Sequence, residues 1–202
     1  MTTLIIARHG NTFRSTETPT RVGARTDLPL TEEGEEQALR LGHHLKSQNM
    51  APSQIYTSQL RRTIDTARLA CVAMACTSEA TPLAFLNEID YGPDENKTDA
   101  DVRERVGEAA LKNWDENMVM PDGWSPRPTE ILLSWKSFLD SQSPSAVDET
   151  ALLVTSNGIA RFALCLTDNG RAFKPKLGTG CYGIITQNKN GLWTVTGWNL
   201  RP

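Results

Sequence analysis

The chain has 202 residues, a length that fits one domain with a modest insertion and buries a core without disulfide or metal staples. Apolar residues make up 39% and charged residues 22%, the balance of a folded protein, which excludes a disordered tail. The net charge of −3 supplies no broad basic footprint, so nucleic acid is not expected as a partner.

The opening Met1-Thr2-Thr3 runs straight into Leu4-Ile5-Ile6-Ala7, with no basic region and no apolar segment of signal-peptide length. No apolar run approaches the roughly 18 residues that a membrane span needs, and a cytoplasmic protein that does not enter a membrane is expected. Cys71, Cys76, Cys165 and Cys181 form no CxxC pair and read as free thiols of a reducing compartment. His9, His43 and His44 have no spaced partners, so neither a metal nor another cofactor is expected. His43 and His44 read as surface residues.

Leu4 to Ala7 is a solid apolar run and reads as a strand buried on both faces. Residues 11 to 30 lack periodicity, carry Pro19, Gly23 and Pro29, and form a long loop of the kind that often has a function. Thr31 caps a helix that opens with Glu32 and Glu33 and lines Ala38, Leu41 and Leu45 along one face. Gln54 to Thr57 reads as a second strand. Ser58 is expected to cap the next helix, with Leu60, Ile64, Ala67, Cys71 and Met74 as its apolar face. A third strand is expected at Leu83 to Leu86. Residues 90 to 128, rich in Asp, Glu, Asn and Pro, read as a lid with one helix near 99 to 117. Ile131 to Leu139 resumes an amphipathic helix. Ala151 to Thr155 reads as a buried strand followed by a helix over about 159 to 166. Tyr182 to Gln187 and Leu192 to Trp198 flank Asn190-Gly191 as a hairpin. Alternating strands and helices predict a three-layer α/β/α sandwich with a mostly parallel central sheet and a small lid, all in one domain spanning 1–202.

Ligands of such sheets bind beyond the carboxyl ends of the strands. Three predicted strand ends carry polar residues there: Arg8-His9-Gly10, Thr57-Ser58 leading into Arg61 and Arg62, and Ser156-Asn157-Gly158. An arginine fork matches phosphate oxygens two at a time. A histidine between arginines has its charged form disfavoured, stays neutral, and is free to attack phosphorus. Gly10 is expected to let the backbone approach the ligand. Taken singly, each of these residues has a bland structural explanation; their joint placement points to a phosphate site.

The order of motifs resembles that of the histidine phosphatase superfamily, the phosphoglycerate-mutase-like group. Leu4-Ile5-Ile6-Ala7-Arg8-His9-Gly10-Asn11-Thr12 is similar to its signature strand and loop. Residues 27–34 resemble D-x-P-L-T-x-x-G, and Ser58 to Ala67 resembles S-x-L-x-R-A-x-Q-T-A. Leu86 to Gly92 resembles L-x-E-x-x-F-G, with Glu95-Asn96-Lys97 as the E-G-K sequel. The resemblance implies that His9 becomes a phosphohistidine, that Arg8 and Arg61 grip the phosphoryl oxygens, and that Glu88 serves as general acid and then base. Asn11, Ser15 and Gly158 are implied, less directly, at the substrate wall.

The family's second histidine lies in a segment like V-S-H-G. Here Thr155-Ser156-Asn157-Gly158 puts Asn157 where that phosphate-contacting residue is expected. Ser15 stands for a frequent asparagine, and Gly123-Trp124-Ser125 only approximates a G-E-S segment. The expected activity is hydrolysis of a small phosphorylated metabolite. A phosphate-ester-binding protein with negligible turnover and a phosphoglycerate-type mutase are the alternatives; a homodimer is compatible with all three. Trp124 is weighed evenly between core and substrate wall, and Arg161 between pocket and solvent.

Overall fold

The computed structural model describes residues 2–142 and 149–202. Strand β1 (Thr2–Arg8) sends alternate side chains to opposite faces of the sheet. Ile5 and Ala7 join a cluster with Leu41, Leu45, Ala67, Ala70 and Met74. Leu4 and Ile6 join a larger one with Trp135, Phe162 and Leu164. The apolar run is continuous because both faces are covered, which makes the domain three layers deep.

The first helical layer is α1 (Glu32–Ser47) and α2 (Arg61–Met74), with β2 (Gln54–Thr57) between them in sequence. Thr31 caps α1 as expected, its hydroxyl accepting from Gly34 N. Ser58 does not cap α2 in that way. Its Oγ bonds Leu60 N and the Thr63 hydroxyl inside the turn, and Leu60 holds the cap position without a side-chain bond. The buried face of α2 is Arg62, Thr63, Thr66, Ala67, Ala70, Ala73 and Met74, so the expected face is wrong at Ile64, which is exposed. The expected third strand is displaced: β3 is only Ala80–Pro82, and Ala84–Leu86 forms a 3₁₀ turn.

Residues 90–128 are less a detached lid than a packed wall. The single helix expected there is two, α3 (Asp99–Val106) and α4 (Glu108–Asn117), separated at Gly107, whose φ of 83° breaks the helix. Trp114 and Trp124 pack edge to face, ring centroids 5.4 Å apart, and both are buried with Tyr91 in the larger cluster. Trp124 therefore belongs to the core and not to a ligand wall. Its Nε1 donates to Asp94.

Helix α5 (Pro128–Ser141) covers the second face, followed by β4 (Glu149–Thr155), the one-turn α6 (Asn157–Ala160) and a 3₁₀ segment, Arg161–Leu166. Strands β5 (Tyr182–Gln187) and β6 (Trp193–Leu200) are the expected antiparallel hairpin. The sheet order is β3-β2-β4-β1-β5-β6. The first four pair in parallel and β5 runs antiparallel to β1, so the ends of β1, β2 and β4 open on the same edge.

The four free thiols expected from sequence are two. α2 ends on left-handed Ala75, and the chain turns back until the Cα atoms of Cys71 and Cys76 are 5.2 Å apart and disulfide-bonded. Cys165 is exposed and Cys181 buried. Among the described residues no helix is long and apolar enough to cross a membrane.

Trp135 is fully buried on α5 and donates to Ile159 O, whereas Leu133 on the same helix is 66% exposed. Trp135→Ala is expected to cost about 3–5 kcal/mol in urea unfolding, and Leu133→Ala less than about 0.5 kcal/mol.

Candidate active site

His9 follows the last residue of β1 and is only 6% exposed. Its Nδ1 lies 2.7 Å from Gly10 O. A carbonyl can only accept, so Nδ1 carries the proton and the Nε2 lone pair is left free. Burial first, then the charges of Arg62 and Arg8, hold His9 well below its ordinary value of 6.5. The imidazole is therefore neutral, as the sequence led us to expect, but the arginine on α2 that acts on it is Arg62.

Arg61 is the misplaced residue. Its side chain is 64% exposed, its Nε bonds Asp65 Oδ2 at 3.3 Å, and its backbone N donates to Asp27. That carboxylate takes up the helix N–H expected to favour an anion. One residue along a helix turns the side chain about 100°, which puts Arg62 on the buried face with Thr66 and Ala70. Arg62 donates to the carbonyls of Thr26, Val22 and Gly23, and its buried Nε has no partner among the described residues. Two sequence signals pointed to it: small residues at 66 and 70, and the spacing S-x-L-x-R counted from Ser58.

Arg8 donates from Nη1 to Leu177 O, and its Nε is likewise buried without a partner. Burial lowers the Arg8 and Arg62 guanidinium values, and the charge of Glu88 opposes that fall in both. Glu88 is 6% exposed; its Oε1 accepts from Ile89 N and its Oε2 from Gly158 N. A Cβ on Gly158 would stand 2.2 Å from Glu88 Oε1, so only glycine lets this carboxylate approach. Gly158 thus lets Glu88 approach the end of β4. Gly10 is similarly constrained: a Cβ there would meet Gly34 O at 2.2 Å, so glycine is needed for close packing against α1.

Asn157 is half-buried and uses Oδ1 to accept from Leu177 N at 2.8 Å. Asn11 is half-buried; its N donates to Gln37 and its carbonyl accepts from Thr31. Ser15 is exposed on the long loop. His43 is exposed, but His44 is half-buried and bonded to the Tyr182 hydroxyl at 2.7 Å. Arg161 is neither solvated nor at the mouth: it is fully buried, stacked 4.2 Å from the Trp114 ring, and donates to Trp114 O. Sequence reading also missed Tyr91, a buried phenol whose value is raised by burial and by the Glu88 charge, and Arg21, which lies over the Tyr91 and Trp124 rings and pairs with Asp99 at 3.0 Å. Among the described residues no cluster of three or more His, Cys, Asp or Glu stands ready for a metal.

A neutral imidazole with an open lone pair, two buried guanidiniums and a buried carboxylate at a sheet edge form an α/β site suited to phosphoryl chemistry. Sequence comparison gives the class its family: residues 4–201 match the Histidine phosphatase superfamily (branch 1), and the chain belongs to it. It is 33% identical over 119 residues to a 2,3-bisphosphoglycerate-dependent phosphoglycerate mutase of Bifidobacterium longum, a stretch covering 58% of this chain and 48% of that enzyme. The chain thus spans about half the length of these curated relatives. It is 28% identical to the same-named enzyme of Bartonella tribocorum over 193 residues, 92% of each. In fold it resembles a mycobacterial glucosyl-3-phosphoglycerate phosphatase, with a TM-score of 0.80 over 99% of both chains at 22% identity.

The neutral state of His9 makes stability depend on pH. Below about 6.5 the unfolded chain binds a proton on this residue that the native chain refuses, so stability falls as pH falls. Between pH 7.5 and 5.5 the parent is expected to lose about 1 kcal/mol more than His9→Gln in paired urea titrations. Equal losses would show that His9 accepts its proton in the fold.

Proposed function

We propose that the protein hydrolyses a small phosphate monoester through a phosphohistidine at His9. The observation that carries this reading is the His9 Nδ1–Gly10 O bond, which leaves Nε2 as the nucleophile inside a pair of buried arginines. Nε2 attacks phosphorus, the P–O ester bond breaks, and the leaving oxygen takes a proton from the Glu88 carboxyl. A water then attacks the phosphohistidine and gives its proton to the Glu88 carboxylate. The N–P bond breaks and inorganic phosphate leaves. Arg8 and Arg62 hold the oxygens on which charge is greatest. The family and the names of the related proteins support phosphoryl transfer as the chemistry; hydrolysis is our choice over mutase activity.

A screen of phosphorylated metabolites for phosphate release, with acid-quenched labelling by the best substrate, tests this directly. Label on His9, and none in His9→Ala, is expected; isomerised product without phosphate release would favour the mutase reading. Binding without either product would favour a phosphate-ester-binding protein.

Arg62 and Arg61 separate the buried from the solvated arginine. Arg62→Met is expected to lower kcat/KM by roughly ten- to a hundredfold, the value of a charge-assisted hydrogen bond. Arg61→Ala is expected to change it by less than about twofold. The reverse order would restore the assignment of residue 61 to the site.

A further inference from the structure

Two groups of the candidate site hang from one residue. Arg8 Nη1 donates to Leu177 O at 3.0 Å, and Asn157 Oδ1 accepts from Leu177 N at 2.8 Å. Among the described residues these are the only hydrogen bonds that either side chain makes. A backbone N–H can only donate, so Asn157 turns its amide oxygen toward Leu177 and its NH2 group away. Arg8 gives one corner of its fork to the same residue and keeps Nε buried without a partner. The placement of Leu177 therefore aims both donors.

Leu177 is fully buried in the larger core cluster, and the chain after it turns tightly. Cys181 N donates to Gly178 O at 3.1 Å, Gly180 N to His9 O at 3.2 Å, and Arg8 N to Cys181 O at 3.0 Å. The remaining hold on this turn comes from the edge strand. Along β5 and β6, Ile184 pairs with Gly197 and Tyr182 with Leu200, so Trp198 and Asn199 together stand opposite Gly183 alone. Such a β-bulge bends the strand and re-aims its side chains. Asn199 takes a left-handed φ of 55°, and its Oδ1 accepts from Gly178 N at 2.7 Å. Trp198 Nε1 donates to Pro175 O at 3.4 Å. The two residues of the bulge thus hold the chain on both sides of Leu177.

We infer that Asn199 is a positioning residue for phosphoryl binding: its amide oxygen fixes the turn at Gly178 and, through Leu177, aligns Arg8 and Asn157 on one anion. This rests on the reading of His9, Arg8 and Asn157 as a phosphoryl site. Asn199 is exposed at the end of β6 and acts only through the turn.

Orthovanadate, which mimics a phosphoryl group in transfer, is the probe, with affinity measured by calorimetry on the full chain in about 0.5 M salt. Asn199→Gly removes the amide while glycine keeps the left-handed φ without strain. It is expected to weaken binding roughly three- to fivefold, the value of one hydrogen bond. Asn199→Asp keeps an acceptor at the same reach, its added charge screened by the salt, and is expected to stay within about twofold of the parent. In an Asn157→Ala background one of the two aligned side chains is gone, and Asn199→Gly is expected to cost a smaller factor. Parent-like affinity in Asn199→Gly, equal weakening by both substitutions, or the same factor in both backgrounds overturns the inference. Acid-quenched labelling of the parent keeps the two readings apart. The expected affinities with no label on His9 leave the role of Asn199 standing and remove the hydrolase; label on His9 with unchanged affinities does the reverse.

Discussion

The bond between His9 Nδ1 and the neighbouring carbonyl of Gly10 organises the whole site. It sets the tautomer, aims the ring, and lets an imidazole be buried at all, because a neutral ring with one proton needs one acceptor there. That carbonyl is held in turn. Gly10 N donates to Thr66 Oγ1 on α2, and Gly10 sits against Gly34 on α1 with no room for a Cβ. The registers of both helices thus reach His9 through one small residue. The packing of the α1/α2 layer is, in this sense, part of the proposed chemistry.

The arginines take part in structure and site at once. Arg62 keeps like charge near His9 and also ties down the long loop through three of its carbonyls. Glu95 holds the same loop from the other side, accepting from Gly23 N and the Thr26 hydroxyl with Oε1 and from Tyr91 N with Oε2. The loop over 11–30 has little regular structure, yet it is clamped between a buried cation and a carboxylate. A clamped loop keeps the guanidinium fork in one geometry, which is what preorganised charge stabilisation requires. The wall over 90–128 extends that support. Arg21 bridges it to the loop through Asp99 and through backbone bonds to residues 96 and 97.

Features that depend on local pattern were readable from the chain. The solid apolar runs at 4–7 and 151–155, the Thr31 cap and the turn at Asn190-Gly191 each carry their own signal, and together they lead to the right layers and hairpin. Features that depend on one step of phase were not. Arg61 and Arg62 differ by a single residue; the expectation took Arg61, whereas S-x-L-x-R counted from Ser58 falls on Arg62, the one on the buried face of α2. The Cys71–Cys76 bond likewise needed the left-handed turn at Ala75, a non-glycine residue with no sequence mark.

The central claim is a neutral, Nδ1-protonated His9 held between two buried arginines. Long-range nitrogen–proton correlation NMR on isotopically labelled protein reads both ring nitrogens directly. The account predicts a bare Nε2 and a protonated Nδ1 at pH 7, unchanged about one pH unit below the ordinary histidine value. A His9 that titrates near 6.5, or that carries its proton on Nε2, would contradict it.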